Sequence, residues 1–295
     1  MNATEPLVSV IIATYNRADL VMQAIDSVRA QTYKAVEIIV ADDASTDDTA
    51  QRLSDLPDVQ VIVSPTQRGP GAARNSALAG ARGTFVAPLD SDDVWEPDFL
   101  ERSVAALVEL DLDFVFSNWR PNPEGPSGLD TTLSRKPNIL PRDAHDEWWV
   151  IEPAAVRRLY LEGNPSPHSS LVVRKASMPN AWSEEMLIGD DHYLVLEMVL
   201  GGADRVALTR VPRWIKRVDG HNRFDTLALR ELLRRTISDR ERLLRDFSGQ
   251  LSLRERAYWR AVLWRIRLRS LRRLGIAAGA WWVPLENDEG RLTGQ

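Results

Sequence analysis

Short apolar runs alternate with helix-patterned segments from residue 7 to residue 116 of this 295-residue chain. The runs are rich in β-branched residues and are too short to be helices, whereas the segments between them repeat apolar residues at helical spacing. The predicted strands are 7–13, 36–41, 59–63, 85–89 and 114–116, and the predicted helices are 19–30, 45–56, 71–81 and 97–110. Such alternation predicts an α/β fold in which helices flank a mostly parallel sheet.

Polar residues follow three of the predicted strands, at the point where each strand ends. They are Thr14, the pair Asp42-Asp43 and the run Asp90-Ser91-Asp92-Asp93. Because the carboxyl ends of parallel strands meet at one edge of a sheet, we expect these residues to form a single site. Helix capping explains at most one acid of the last run. Three carboxylates within four residues repel one another unless a cation offsets their charge, so this run predicts a metal site.

Composition restricts the class of protein and its compartment. With 44% hydrophobic and 27% charged residues, the chain is an ordinary globular protein. It contains no cysteine, which excludes disulfides, thiol catalysis and thiolate metal sites and favours a cytoplasmic setting. Neither a signal-peptide pattern nor a membrane-length apolar run is present, so we expect no membrane span.

The net charge of −5 is distributed unevenly. Residues 1–220 carry a net −12 and residues 221–295 a net +7, and the chain after residue 223 is predicted to be helical to residue 274. Within 258–274 the apolar residues form two narrow stripes, one with Trp264, Leu268 and Leu271 and one with Trp259, Leu263 and Ile266. Two narrow stripes favour packing against two protein elements, because a membrane-surface helix has one broad apolar face. Contact with an anionic membrane, or a homodimer, stays open as the alternative.

The middle of the chain has a weaker pattern. Residues 121–167 are rich in proline and glycine and are predicted to be long loops with one helix at 153–161. A strand at 171–173, a helix that residues 188–192 open and that runs to about residue 200, and a strand at 206–208 follow.

Four motifs in order resemble those of the family 2 glycosyltransferases, which have the GT-A fold. They are residues 6–17 (PLVSVIIATYNR), residues 42–47 (DDASTD), Ala73-Arg74-Asn75 and residues 89–93 (LDSDD). The resemblance covers residues 5–115 strongly and 165–225 more loosely. It implies a GT-A domain at 1–222, with a nucleotide-sugar half at 1–118 and an acceptor half at 119–222, followed by a helical, basic region at 223–295.

The resemblance also implies an activity, namely inverting transfer of a sugar, with UDP-sugar as the favoured donor, to a hydroxyl of a glycan or lipid-linked acceptor, as in bacterial polysaccharide synthesis. Asp43 would accept the N3–H of uracil, and Asp92 and Asp90 would hold Mn²⁺ or Mg²⁺, with Asp93 as support. The implied donor-binding residues are Thr14, Tyr15, Asn16, Arg17, Asp43, Arg74, Asp90 and Ser91. Neither nucleic acid nor a membrane span is expected, although peripheral contact with the inner face of the plasma membrane is compatible with the basic region.

The chemistry has a physical rationale that is independent of the family. A nucleoside diphosphate leaves only when its developing charge is stabilised, and a divalent cation does this without a proton. Carboxylate oxygens suit Mg²⁺ and Mn²⁺. A glycoside hydrolase instead needs a second carboxylic acid to protonate the leaving oxygen.

The acceptor hydroxyl needs a base, and Asp190-Asp191 stands where the family usually has Glu-Asp. The second acid is the base in the family, which implies Asp191. Because Asp replaces the usual Glu, the assignment between Asp191 and Asp190 stays open, and both could also be favourable first-turn acids of a helix.

Three other interpretations compete with a glycosyltransferase. A sugar nucleotidyltransferase would have a glycine-rich phosphate loop after the first strand, and residues 14–17 contain no glycine. A dinucleotide-binding enzyme lacks support because no G-x-G-x-x-G follows any predicted strand. A noncatalytic protein that binds nucleotide sugars or glycans on the same scaffold is the remaining alternative.

Histidines and tryptophans give weaker signals. His168 and His192 flank the acceptor side in sequence order and could be ordinary surface residues. His221 lies where related enzymes often have a loop over the diphosphate, and it could equally be a solvated loop residue. Tryptophans in the second half could stack on sugar rings, although core packing is the default for each of them. They are Trp119, Trp148, Trp149, Trp182 and Trp214.

Overall fold

The computed structural model describes residues 5–136, 139, 144–178, 181–186, 188–217 and 227–274, with the backbone alone at 271–274. The chain divides into two compact units, Met1–Thr226 and Leu227–Gln295. His221 and the predicted boundary at 222/223 lie outside the described residues.

The first half of the larger unit follows the predicted alternation of strands and helices. Strands and helices agree with the predicted ones to within a few residues, except that the second helix is shorter. The elements are β1 (Val8–Thr14), α1 (Ala18–Arg29), β2 (Val36–Asp42), α2 (Thr49–Ser54), β3 (Val59–Val63), α3 (Pro70–Gly80), β4 (Phe85–Asp90), β5 (Val94–Trp95) and α4 (Phe99–Glu109).

The second half contains more regular structure than the pattern predicts. The elements are β6 (Phe114–Asn122), α5 (Gly128–Arg135), β7 (Trp148–Ile151), α6 (Pro153–Glu162), β8 (Leu171–Arg174), α7 (Asp190–Leu200) and β9 (Val206–Arg217). Helix α5 and strand β7 lie in the stretch predicted to be loops, while α6 and α7 are confirmed. Strands β6 and β9 extend well beyond their predicted ends because they pair with each other along their length.

Nine strands of the described chain form one mixed sheet. Its order is β3-β2-β1-β4-β8-β6-β9-β5, and β7 pairs with β9. Strands β3, β2, β1 and β4 are parallel to one another, as predicted, and β6 is parallel to β9. Strand β8 is antiparallel to both β4 and β6, so the two parallel groups meet across a reversed strand.

Burial on both faces explains the continuous apolar runs. Val10, Ile11 and Ile12 are fully buried even though successive side chains of β1 point to opposite faces. Trp119, Trp148, Trp182 and Trp214 are also buried, which confirms core packing for these four. Trp119 and Trp214 lie against each other with ring centroids 5.2 Å apart.

The first residues of two predicted helices, Asp19 and Ser45, do not cap them. Asp19 lies inside the first turn of α1, where its carboxylate pairs with Arg52, and Arg17 holds the cap position. Ser45 does not cap α2, because Asp48 is the residue before the helix and the Ser45 hydroxyl instead donates to Asp42.

The smaller unit contains two helices, α8 (Leu229–Asp246) and α9 (Leu253–Leu274). The helical prediction therefore holds with an interruption at 247–252, where Ser252 and Glu255 form reciprocal hydrogen bonds that start α9. No helix among the described residues combines the length and the apolar character needed to cross a membrane.

Candidate functional site

The carboxyl ends of β1, β2 and β4 form one edge of the sheet, as the sequence predicts. Thr14 lies opposite Asp42 in the register between β1 and β2, and Ala13 lies opposite Asp90 in the register between β1 and β4. The polar residues after these strands are therefore neighbours in space. The Thr14 hydroxyl is buried and has no hydrogen-bond partner within the described chain.

Asn16 joins the turn after β1 to the loop after β2. Its φ of 50° lies in the left-handed region, which asparagine tolerates better than most residues. The side-chain oxygen accepts from the Thr46 amide at 2.7 Å, and the Asn16 amide donates to the Ser45 hydroxyl at 2.8 Å. The turn is thus held by hydrogen bonds, while the adjacent Tyr15 side chain is exposed.

Asp43 is buried at this edge and holds the loop that precedes α3. One carboxylate oxygen accepts from the Arg68 amide at 2.8 Å and the other from the Gly69 amide at 2.7 Å. Each oxygen retains a second lone pair. Asp43 therefore fixes the loop and still has acceptor capacity for a further donor.

Asp90, Asp92 and Asp93 form the acidic cluster at the end of β4. Their carboxylate oxygens lie within 4.8 Å of one another, and the turn between them is closed by the Asp93 amide, which donates to the Asp90 carbonyl at 3.0 Å. Oxygen ligands at this spacing fit a Mg²⁺ or Mn²⁺ ion. Asp93, predicted only as support, thus belongs to the same group of potential metal ligands as the other two.

Three cations balance the acidic cluster. A guanidinium nitrogen of Arg17 lies 2.8 Å from a carboxylate oxygen of Asp92, and one of Arg74 lies 2.7 Å from a carboxylate oxygen of Asp90. The ammonium nitrogen of Lys216 lies 4.0 Å from a carboxylate oxygen of Asp93. Burial alone would lower the pKa of Lys216, but Asp93 and the neighbouring acids raise it above the ordinary value. Lys216 is therefore a fixed positive charge beside the cluster.

The three acids differ in their affinity for protons. Burial would raise the pKa of Asp90, but the Arg74 guanidinium outweighs it and the pKa is well below the ordinary range. Burial and the Asp90 charge raise the pKa of Asp92. Burial raises the pKa of Asp93 to about 7. The Asp90 carboxylate is thus the anionic centre of the cluster.

Helix α3 connects this edge to the acceptor half. Buried Arg74 contacts both Asp90 and Asp190, and the latter pair is a short ion pair. Asn75 accepts from the Trp182 amide at 2.7 Å and donates to the Trp182 carbonyl at 2.9 Å. Gly71 is so close to the same segment that a Cβ atom would lie 2.6 Å from the Ser183 carbonyl oxygen.

Asp190 and Asp191 begin α7 but have different surroundings. Asp190 is buried and paired with Arg74. The Asp191 carboxylate accepts from the His192 amide at 2.7 Å and has no ion-pair partner among the described residues. Burial, and then the Asp190 charge, raise the pKa of Asp191 to about 7. A carboxyl group with this pKa can accept a proton near neutral pH.

Two residues beside the acidic cluster were not predicted to be part of the site. His168 and Ser169 precede β8, which runs antiparallel to β4, so they lie beside the end of β4. The Ser169 hydroxyl donates to Asp93 at 2.6 Å and accepts from the Asp90 amide at 3.1 Å. They lie here only because β8 is antiparallel to β4. The sequence shows polar residues followed by a short apolar strand, and this pattern does not indicate the direction in which the strand pairs.

His168 and His192 are both buried, so the surface reading is wrong for each. His168 Nε2 accepts from the Trp182 indole N–H at 2.8 Å, and its Nδ1 atom lies 3.8 Å from Asp90. Burial and the Arg74 charge lower the pKa of His168 to about 4. The ring is therefore neutral at pH 7 and does not balance the charge of Asp90.

Comparisons with known proteins agree on one family. The sequence profile of the family described as Glycosyl transferase family 2 matches residues 9–154. ExoO of Rhizobium meliloti, a succinoglycan biosynthesis protein, is 44% identical over 114 residues, which are 37% of this chain and 33% of ExoO. WfaP of Escherichia coli, named UDP-Glc:alpha-D-GlcNAc-diphosphoundecaprenol beta-1,3-glucosyltransferase, is 38% identical over 115 residues, which are 38% of this chain and 46% of WfaP.

The aligned part of this chain thus spans less than half the length of these two relatives. Among solved structures, the mannosyltransferase PcManGT from Pyrobaculum calidifontis, in complex with GDP-Man and Mn²⁺, has a TM-score of 0.62 and 19% identity. The structural match covers 95% of this chain and 77% of the PcManGT chain. This likeness shows the GT-A fold.

Proposed function

The chain belongs to glycosyltransferase family 2 through residues 9–154, and on that premise we propose that it transfers a sugar from a nucleotide sugar to a hydroxyl of a glycan or lipid-linked acceptor, with inversion. One observation carries the proposal. Arg74 joins an acid at the end of β4 to the acid pair at the start of α7, so one buried guanidinium links the proposed donor site to the proposed base.

The donor half of the proposal assigns the diphosphate to the acidic cluster. Asp90, Asp92 and Asp93 would hold a Mn²⁺ or Mg²⁺ ion, which supplies positive charge to the leaving diphosphate. Arg17 and Lys216 add fixed positive charge at the same edge. The unpartnered Thr14 hydroxyl and the spare acceptor capacity of Asp43 suit the nucleoside. The name of WfaP supports a UDP-sugar as the donor.

The acceptor half of the proposal assigns the base to Asp191. Asp190 is committed to Arg74, whereas Asp191 has no cation partner among the described residues and a pKa of about 7. The acceptor oxygen would attack the anomeric carbon while its proton passes to Asp191, and the nucleoside diphosphate would leave from the opposite face. A single displacement of this kind inverts the anomeric configuration. Asp190 and Arg74 act by positioning the start of α7.

The names of the relatives support a proposal for the acceptor class and the place of action. The acceptor in the name of WfaP is a sugar on diphosphoundecaprenol, and ExoO is named for polysaccharide biosynthesis. We propose a lipid-linked glycan as the acceptor for this chain, which would bring the protein to a membrane surface without a membrane span.

Release of the nucleoside diphosphate tests the proposal. The protein is incubated with a panel of UDP- and GDP-sugars, Mn²⁺ and lipid-linked acceptors, and Asp191→Asn is compared with Asp26→Asn on the exposed face of α1. We expect acceptor-dependent release with one donor, loss of release in Asp191→Asn and no change in Asp26→Asn. Release by Asp191→Asn at the wild-type rate would contradict the assignment of the base, and donor binding without turnover would favour the noncatalytic alternative.

A further inference from the structure

The outward side of α9 carries a line of apolar residues with arginines on both sides. The apolar residues recur at intervals of three or four, which aligns them along one side of a helix. We call this surface the α9 outer face, and its residues are Leu253, Arg254, Ala257, Tyr258, Arg260, Ala261, Trp264, Arg265, Leu268 and Arg269. Leu253 is 79% exposed, Trp264 59% and Tyr258 43%.

The opposite side of α9 is already used within the smaller unit. Trp259, Leu263 and Ser270 are buried there. Arg256 donates to the Leu251 carbonyl at 2.9 Å, and Arg267 pairs with Glu241. The stripe with Trp259 and Leu263 therefore packs against protein, whereas in the other stripe Trp264 is exposed and Leu268 is half-buried.

The charge of the α9 outer face is uncompensated. Arg254, Arg260, Arg265 and Arg269 have no carboxylate partner in the described part of the chain. Glu255 is the one acid of α9, and it is occupied in the capping interaction with Ser252. This differs from α8, where Arg234 and Arg235 both pair with Glu231.

We propose that the α9 outer face binds the surface of an anionic lipid bilayer. Arginine side chains reach phosphate groups with their guanidinium ends while their apolar stems lie along the interface. Tryptophan and tyrosine favour the headgroup region, and leucine enters the acyl boundary. An acidic protein surface would pair with the arginines but would offer nothing apolar to cover the exposed Leu253 and Trp264. A bilayer provides both anionic headgroups and an apolar interior. The proposal rests on the surface of α9 and not on the transfer activity.

Vesicle flotation with the full chain tests this proposal. The vesicles are phosphatidylcholine alone or phosphatidylcholine with phosphatidylglycerol, at low and high salt. We expect binding only to the anionic vesicles and weaker binding at high salt. Because each arginine near an anionic surface contributes about a fivefold change in affinity, Arg254→Gln with Arg265→Gln should weaken binding about 25-fold.

The control variant removes the same charge elsewhere. Arg102→Gln with Arg234→Gln changes two exposed arginines outside the α9 outer face and should bind like the wild type. Equal binding to both kinds of vesicle, absence of binding at low salt, or equal binding by the two double variants would overturn the proposal. Circular dichroism of each variant confirms that the helices are retained.

A second measurement locates the contact. Because the chain has no cysteine, Ala261→Cys provides a single site for an environment-sensitive fluorophore, and Gln51→Cys on α2 is the matched control. Emission should shift to the blue on anionic vesicles only for the label at 261. A shift without vesicles that depends on protein concentration, together with a dimer in sedimentation velocity that Arg254→Gln with Arg265→Gln dissociates, would assign this face to a second copy of the chain instead.

Discussion

We call the carboxyl ends of β1, β2 and β4 the donor edge and residues 119–222 the acceptor half, after their proposed roles. The two regions contribute to the candidate site in different ways. At the donor edge, each polar cluster follows its own parallel strand, so residues adjacent in sequence reach the site together. In the acceptor half, His168, Asp190 and Lys216 come from separate segments, and side-chain contacts with the donor half hold two of these segments in place. The donor edge is therefore positioned by the sheet, and the acceptor half by a few specific contacts.

This contrast predicts that substitutions in the two regions affect different steps. Asp92→Asn should weaken Mn²⁺ binding, measured by calorimetry, and lower transfer about a hundred- to a thousandfold, because a metal ligand is lost. Asp191→Asn should lower transfer about a hundred- to ten-thousandfold and leave Mn²⁺ and donor binding unchanged. Loss of metal binding in Asp191→Asn would mean that the two regions are not functionally separate.

Arg74→Met tests the buried connection between the regions. It should lower the free energy of unfolding by about 3–5 kcal/mol, because Asp190 is left as a buried, unpaired carboxylate and the half-buried Asp90 loses the same partner. Arg29→Met is the control, since the pairs of Arg29 with Asp26 and Asp58 are on the surface and contribute at most about 1 kcal/mol. Denaturant unfolding measures both, and similar losses in the two variants would argue against the connection.

Gly71→Ala tests the close approach of α3 to the acceptor segment. The new Cβ atom would lie 2.6 Å from the Ser183 carbonyl oxygen, so we expect a loss of about 1–3 kcal/mol and a raised acceptor KM. Gly125→Ala, where a Cβ atom meets nothing within 4 Å, should be close to neutral. An unchanged acceptor KM and an unchanged stability in Gly71→Ala would show that this segment moves without cost.

The pH dependence of transfer sharpens the role of Asp191. As the pH falls through about 7, the raised pKa lets Asp191 bind a proton, and a protonated base accepts none from the acceptor. We expect the rate to fall about tenfold per pH unit below that point and to level off above it. Donor binding measured over the same range serves as the control, and a rate that is flat through pH 7 would contradict the assignment.

The donor edge could be predicted from the sequence because its determinants are local. Strand, turn and acid follow one another within ten residues, as in 85–93, and β-branched runs and helical spacing place the elements around them. Parallel pairing then brings Thr14, Asp42 and Asp90 together without further information.

The acceptor half could be predicted only in part, because its determinants are distant contacts. Strand β7 and most of β6 and β9 form through mutual pairing and carry no strong pattern of their own. The burial of His168 depends on the antiparallel direction of β8, and the choice of Asp191 over Asp190 depends on which acid reaches Arg74. Both features depend on residues that are distant in the sequence, so the local sequence pattern does not predict them.

The loops at the donor edge are held by side chains and not by backbone pairing. The amides of Ser45, Thr46, Arg68 and Gly69 donate to Asp42, Asn16 and Asp43. In amide hydrogen exchange these four positions should therefore be protected although none lies in a helix or strand, and their exchange rates would report on the integrity of the donor edge alone. Exchange at these amides would follow the opening of these loops independently of the sheet beneath them.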